Sequence, residues 1–206
     1  MAKLCGWDKE IKRMKKEKKF FKNFMPYFKD KIGQPLNFLE VGVFSGTTSK
    51  LILDNILLHE NCLLIGIDPW NKAFFDRHDV RNDEAWENVL QSIENLKKEF
   101  VHKVQFLKGT LQDSIVYTKI SSILFDGVYI DGEHTYSAVM NDFNLTWPLL
   151  KVNGVMIFDD YLIRDRKTKK YDMNMQYVID RLLSSHHNKC ELLFKNEQVG
   201  IRKTHD

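Results

Sequence analysis

Leu36-Asn-Phe-Leu-Glu-Val-Gly-Val-Phe-Ser-Gly-Thr-Thr48 is the stretch whose reading decides the fold. An apolar run of strand length, Leu36–Val41, stops at Gly42. A short loop follows, with a second glycine at Gly46. Glycine lets a backbone turn tightly and approach a ligand closely. Ser45, Thr47 and Thr48 then stand where a helix opens, with its first N–H groups unpaired. The pattern reads as strand, tight turn, helix. It is not a dinucleotide fingerprint, because G-x-G-x-x-G needs a glycine at position 44 and Phe44 occupies it. That argues against a nicotinamide or flavin enzyme.

Outward from this stretch, strand and helix patterns alternate. Apolar periodicity predicts a helix over Thr47–His59, with Leu51, Ile52, Ile56 and Leu57 on its apolar side. Further strands are expected at Cys62–Ile67, Val104–Leu107, Leu124–Ile130 and Val155–Phe158. Helices are expected over 83–100, Tyr136–Leu150 and 174–187. The second of these would tolerate Pro148 near its end, with Gly154 marking the turn out. The chain closes on two strand-like runs, Cys190–Lys195 and Val199–Arg202, around Asn196-Glu197. So short a turn makes them antiparallel neighbours. The expected fold class is therefore α/β, doubly wound, with a mostly parallel sheet carrying one antiparallel strand near an edge.

The segment before residue 36 has another character. Residues 9–31 interleave lysines with Ile11, Met14, Phe20, Phe21, Phe24, Met25 and Phe28. This spacing predicts one or two amphipathic helices packed on the domain with their lysines solvated. The alternative is a basic arm for an anionic partner or a second subunit. The division expected is thus a basic helical segment over 1–35 and a ligand-binding domain over 36–206.

Bulk composition narrows the classes. A formal net charge of +3 demands neither nucleic acid nor a membrane surface. Cys5, Cys62 and Cys190 are odd in number and far apart, which argues for reduced thiols in a cytoplasmic protein. No run has the apolar length of a signal peptide or a membrane span.

Open α/β sheets bind ligands beyond the carboxyl ends of their strands. The polar groups expected there are Glu40 with the Gly42–Gly46 loop, Asp68-Pro-Trp70, Gly109-Thr-Leu-Gln-Asp113, Asp131-Gly-Glu-His134 and Asp159-Asp160-Tyr161. Asp68, at the end of the second strand, suits ribose hydroxyls; otherwise it is a loop acid. Asp131, Asp159 and Asp160 would repel one another unless a cation sits between them, and Mg²⁺ is the default hard ion for oxygen ligands. Such an ion can lower the pKa of a bound hydroxyl, with His134 as proton acceptor. The plainer alternative has these acids capping turns and His134 paired with one of them.

Four motifs in order carry a resemblance: Leu39–Thr48, Gly66-Ile-Asp-Pro-Trp70, Asp126–Tyr136 and Leu150–Tyr161. From Phe38 to its last residue the chain resembles class I S-adenosylmethionine-dependent methyltransferases. It looks most like the branch holding the metal-dependent macrolide-sugar and cephalosporin-type O-methyltransferases, with catechol O-methyltransferase more distant. The resemblance implies a seven-stranded sheet with the last strand inserted antiparallel. It implies that Glu40, Gly42, Phe44, Ser45, Gly46 and Thr47 hold the methionine part of the cofactor. Asp68, Pro69 and Trp70 would take the ribose, Gly109, Thr110 and Gln112 would flank the adenine, and Asp131 would border the cofactor. Asp131, Asp159 and Asp160 match the metal positions and His134 the catalytic base. The implied acceptor is a small hydroxylated molecule, in the extreme a sugar, with a homo-oligomer allowed. Competing readings are a nucleic-acid methyltransferase using the basic segments, and a cofactor-binding partner without turnover. The segment up to about residue 35 and the stretch after Trp70 match nothing in the family; the latter, with Phe74, Phe75, Arg77 and His78, suits a lid, and the basic run Ile163–Lys170 suits an acceptor pocket or a solvated loop.

Overall fold

A computed structural model describes residues 14–72, 83–163 and 173–206. The proposed lid residues 74–78 and the basic run beyond Ile163 lie outside those residues. Seven strands form one sheet in the order β3-β2-β1-β4-β5-β7-β6. They are β1 (Asn37–Val41), β2 (Leu63–Asp68), β3 (Val104–Lys108), β4 (Phe125–Ile130), β5 (Leu150–Phe158), β6 (Cys190–Lys195) and β7 (Val199–Lys203). β1 to β5 are parallel, β7 runs antiparallel between β5 and β6, and β6 closes the edge. This is the expected α/β fold with its single reversed strand.

The central strands read as continuous apolar runs because helices cover both faces. β1 turns from β2 on one side to β4 on the other, so the switch in strand order falls at its carboxyl end. Register levels that end: Val41 pairs Ile67 and Ile130, and Ile130 pairs Phe158. The next residues, Gly42, Asp68, Asp131 and Asp159, therefore emerge at one height. Three of these four are acids.

Among the described residues the helices are α1 (described over residues 14–23), α2 (Met25–Phe28), α3 (Thr47–Asn55), α4 (Asp83–Glu99), α5 (Ser114–Ile120), α6 (Tyr136–Thr146) and α7 (Met173–Ser185). α5 was not expected from the sequence. Its Ser-Ile-Val-Tyr-Thr-Lys-Ile is rich in β-branched residues, and seven residues are too few for periodicity to speak. α6 ends at Thr146, four residues before the expected stop at Leu150. Pro148 lacks the N–H that would continue the helix, and Trp147–Leu149 tighten into a 3₁₀ turn. The buried Lys203 ammonium donates to the freed carbonyls of Trp147 and Leu150 at 3.2 and 3.0 Å. β5 then starts at Leu150 rather than Val155. Lys151–Gly154 loop out of the β4 pairing, and Asn153 takes the turn with φ 67°. Gly154 thus lies inside the strand instead of leading into it.

Of the first segment, residues 1–13, Ile11 among them, lie outside the described residues, and the described part buries one apolar face. Phe20, Phe24 and Phe28 recur every four residues and are buried in one cluster with Phe38, Ile52, Leu53, Tyr129 and Ile157. Phe20 stacks on Phe24 at 5.0 Å between centroids, and Phe24 meets Tyr129 edge-on at 5.2 Å. Met14 and Phe21, expected on the same apolar face, are exposed instead, 60% and 52%. Truncating Phe24 to alanine should cost about 3–5 kcal/mol, as for a large cavity in a tight core. Urea unfolding would measure it, and a loss below about 1 kcal/mol would mean that the segment is not part of the core.

Candidate active site

The glycine loop forms the floor of the cleft. Gly42, at φ 90°, donates to the Ile67 carbonyl, and Asp131 donates to the Val41 carbonyl. The two loops pass so closely that a Cβ on Gly42 would lie 2.0 Å from the Asp131 carbonyl oxygen. Gly46, at φ 75°, caps α3 without a side-chain bond, so the first N–H groups of α3 face the cleft. Phe44 is itself left-handed, φ 52°. The position where a dinucleotide loop has glycine keeps the strained backbone and adds a ring.

Asp68 holds that strained loop. Its Oδ2 accepts from the Phe44 N–H at 2.8 Å and its Oδ1 from the Trp70 N–H at 2.7 Å. The Trp70 indole N–H then donates to the Phe44 carbonyl at 2.9 Å. The Val43 N–H is a third backbone donor to Asp68, and a carboxylate has about four acceptor positions, so one remains for a hydroxyl donor. Pro69 links Asp68 to Trp70, whose φ is 36°. At the end of β3, Gly109 adopts φ 141°, and Thr110 donates from its N–H and hydroxyl to Asp113 at 2.6 and 3.2 Å. Gln112 donates to the buried carboxylate of Asp142 at 3.3 Å. Burial pushes the Asp142 carboxyl up to about 6.

Glu40 is fully buried beside the loop, and Ser49 of α3 donates to its Oε2. Burial, reinforced by Asp131 and Asp68 against Ser49 and Lys16, pushes its carboxyl up to about 8. Its proton is therefore bound more tightly in the fold than in the unfolded chain. The resulting stabilisation is present below about 4.5 and is lost as pH rises through about 8. Glu40→Gln should flatten this slope: between pH 5 and 8.5, wild type should lose more stability to denaturant than the variant. Parallel pH profiles would show that Glu40 is not held in its neutral form.

Acids and His134 converge at the ends of β4 and β5. Asp160 follows Asp159 with φ 55°, which turns its carboxylate toward His134. His134 Nε2 lies 3.2 Å from Asp160 Oδ2 and 3.7 Å from Asp131 Oδ1. It has no hydrogen-bond partner of proper geometry although the atom is buried. Burial works against a charge on His134, but Asp131, Asp160 and Asp159 outweigh it and raise its pKa. Burial and the neighbouring Asp159 and Asp131 push Asp160 up to about 6. One ligand atom each from Asp131, His134 and Asp160 falls within a 4.8 Å cluster, the spacing a metal ion needs.

Asp159 stands apart from that trio. Tyr129 donates to its Oδ2 at 2.5 Å and Lys19 to its Oδ1 at 2.9 Å. Burial would raise its carboxyl, but Lys19 and Tyr129 hold it below the usual carboxylate range. Behind Tyr129 the chain of contacts runs through Gln198 to Asn23, which donates to Gln198 at 2.6 Å. The sequence reading missed Lys16, Lys19, Ser49, Tyr129 and Gln198. Tyr129 was findable, since it precedes Asp131 by two in a strand and so shares its face. Nothing in the sequence links a lysine at 19 to an acid 140 residues later.

A family profile described as a methyltransferase domain matches residues 39–161, from the glycine loop through the last acid. The chain belongs to this methyltransferase family. An uncharacterised protein of Acanthamoeba polyphaga mimivirus is 31% identical over 134 residues, covering 61% of this chain and 52% of that protein. Solved structures share the fold. The MycE methyltransferase of the mycinamycin biosynthetic pathway, in complex with Mg, SAH and mycinamycin VI, gives a TM-score of 0.62 at 15% identity, over 90% of this chain and 50% of MycE. A putative rRNA-methylase from Clostridium thermocellum gives 0.63 at 14% identity, over 89% and 93% of the two chains. The O-methyltransferase TomG from Streptomyces achromogenes, in complex with SAM, gives 0.56 at 16%, over 83% and 74%. The methyltransferase described here spans about half the length of the mimivirus protein and of MycE. Among its described residues no helix is long and apolar enough to cross a membrane. Lys16, Lys19 and Gln198 fall outside the family-matched stretch.

Proposed function

We propose that this methyltransferase carries the methyl group of S-adenosylmethionine to a hydroxyl oxygen of a small molecule, with a divalent cation, Mg²⁺ by its oxygen ligands, in the site. The observation that carries the reading is the unpaired, buried Nε2 of His134 between Asp131 and Asp160, one loop away from Gly42. Two carboxylates fit a hard cation, and the imidazole nitrogen beside them is left to take a proton. Asp131 and Asp160 would hold the ion, while Asp159 stays engaged by Lys19 and Tyr129. When bound, the ion supplies Lewis acidity, which lowers the pKa of an acceptor hydroxyl.

The chain's own groups then have distinct tasks. The Gly42–Gly46 backbone and the first turn of α3 offer N–H groups to the cofactor's carboxylate end. Glu40 and Thr47 border its amino end, and Asp68 with Pro69 and Trp70 offers an acceptor and a flat surface to the ribose. Gly109, Thr110 and Gln112 border the adenine. His134, with its nitrogen free, takes the proton of the acceptor hydroxyl as the oxygen attacks the methyl carbon. Alignment of oxygen, carbon and sulfur supplies much of the acceleration. MycE holds mycinamycin VI beside Mg and SAH, which supports a small hydroxylated molecule, a sugar among them, as the first acceptor class to try.

The nucleic-acid reading is less favoured. Lys16 and Lys19, the described lysines closest to the cleft, face Asp131 and Asp159 rather than an outer surface.

Manganese is a usable spectroscopic stand-in for magnesium, since both prefer oxygen ligands. Bound Mn²⁺ measured by electron paramagnetic resonance should fall as pH drops below about 6, where Asp160 is pushed toward its protonated form and His134 is charged. The group of raised pKa must lose its proton to bind, so affinity rises with pH across that window. Affinity flat between pH 5 and 7.5 would remove Asp160 from the site.

A further inference from the structure

Helix α1 delivers two ammonium groups to the site. Lys16 Nζ lies 3.5 Å from Asp131 Oδ2 and 3.4 Å from Thr48 Oγ1. Lys19 Nζ is bonded to Asp159. Three residues apart on a helix, they share one face. Together they bring two positive charges to the acids, as many as one divalent ion. The open pocket lined by Lys16, Lys19, Thr48, Tyr129 and Asp159 measures about 10 Å³, room for about one water. A cofactor with a charged amino end beside Thr48 would meet Lys16 there.

The two lysines are held differently. Lys19 adjoins Phe20, which is 2% exposed and locked by Phe24 and Phe28 beneath it. Lys16 lies one turn further out, its side chain 43% exposed, and Met14 beyond it touches little.

We propose that Lys16 is an intramolecular competitor for the cofactor and cation site. Its ammonium and a cationic ligand exclude each other beside Asp131 and Thr48. The half-exposed side chain of Lys16 swings aside when the ligand binds, while Lys19 stays on Asp159. This rests on the methyltransferase reading above, and it places a threshold on cofactor binding in a segment the family does not share.

Calorimetric titration of the full chain separates the two claims. Lys16→Met should tighten S-adenosylmethionine and Mn²⁺ by about fivefold or more, the order expected for one partly screened charge pair. S-adenosylhomocysteine, which lacks the sulfonium charge, should gain less. Lys16→Arg, which keeps the charge, should match wild type. Equal or weaker binding by Lys16→Met overturns the competitor role while leaving the methyltransferase reading intact. A gain for S-adenosylmethionine with none for S-adenosylhomocysteine overturns competition at the amino end, which both cofactor forms carry. Binding of neither cofactor form to any of the proteins overturns the cofactor reading, and the competition with it.

Discussion

His134→Ala is expected to slow methyl transfer by about 10²–10⁴-fold, the range lost with a positioned general base. Binding of S-adenosylhomocysteine should stay within about twofold, because His134 lies on the acid side of the cleft and not on the glycine loop. Two observations set this expectation. The Nε2 atom is buried without a hydrogen-bond partner, an arrangement that costs stability unless the nitrogen is used. It also sits between the two carboxylates placed to hold the ion. The same variant decides between base and ligand. A base leaves Mn²⁺ affinity nearly unchanged, whereas a ligand takes about tenfold or more with it. Rates should be read at saturating cofactor and ion. An unchanged rate would dismiss His134 from the chemistry.

Gly42→Ala should be the most damaging single change in the cleft. The new methyl would lie 2.0 Å from a backbone oxygen of Asp131, and backbone cannot swing aside as a side chain can. The residue would also be held at φ 90°, where an L side chain is strained. Overlap and strain together should cost about 3 kcal/mol or more. The β1 and β4 ends must part to admit it, so cofactor binding should vanish even where the fold survives. Gly46→Ala is the control. Its added methyl would meet Leu96 Cδ1, the tip of a flexible side chain, so a smaller loss is expected. Urea unfolding and S-adenosylhomocysteine titration of the two variants give the comparison. Equal losses would mean that loop strain, and not the Asp131 contact, sets the requirement at 42.

The residues that revealed this site are those whose role is local. Gly42, Asp68, Asp131 and Asp159 each follow a buried strand, and strand ends are visible as apolar runs that stop. Parallel register then levels them without further information. The hairpin β6–β7 was legible from the length of its turn. What stayed hidden depends on contacts between distant segments. α5 failed to show because seven β-branched-rich residues carry no period. The early end of α6 was written in Pro148, whose missing N–H stops a helix however apolar its surroundings. Lys16 and Lys19 read as two lysines among many. Only packing, through Phe20 and Phe24 against Tyr129, turns them inward. Asp159, grouped by sequence with Asp131 and Asp160, is claimed by Lys19 and Tyr129, a pairing set by the tertiary fold alone.

Crystals grown with S-adenosylhomocysteine and Mn²⁺ offer the most direct test, through the anomalous signal of the metal. The account predicts one peak at about 2.0–2.3 Å from carboxylate oxygens of Asp131 and Asp160. The cofactor's sulfur should face that peak from above Gly42–Gly46, with its ribose on Asp68. A peak elsewhere, or a bound cofactor with Asp131 and Asp160 still turned to protein partners alone, would contradict it.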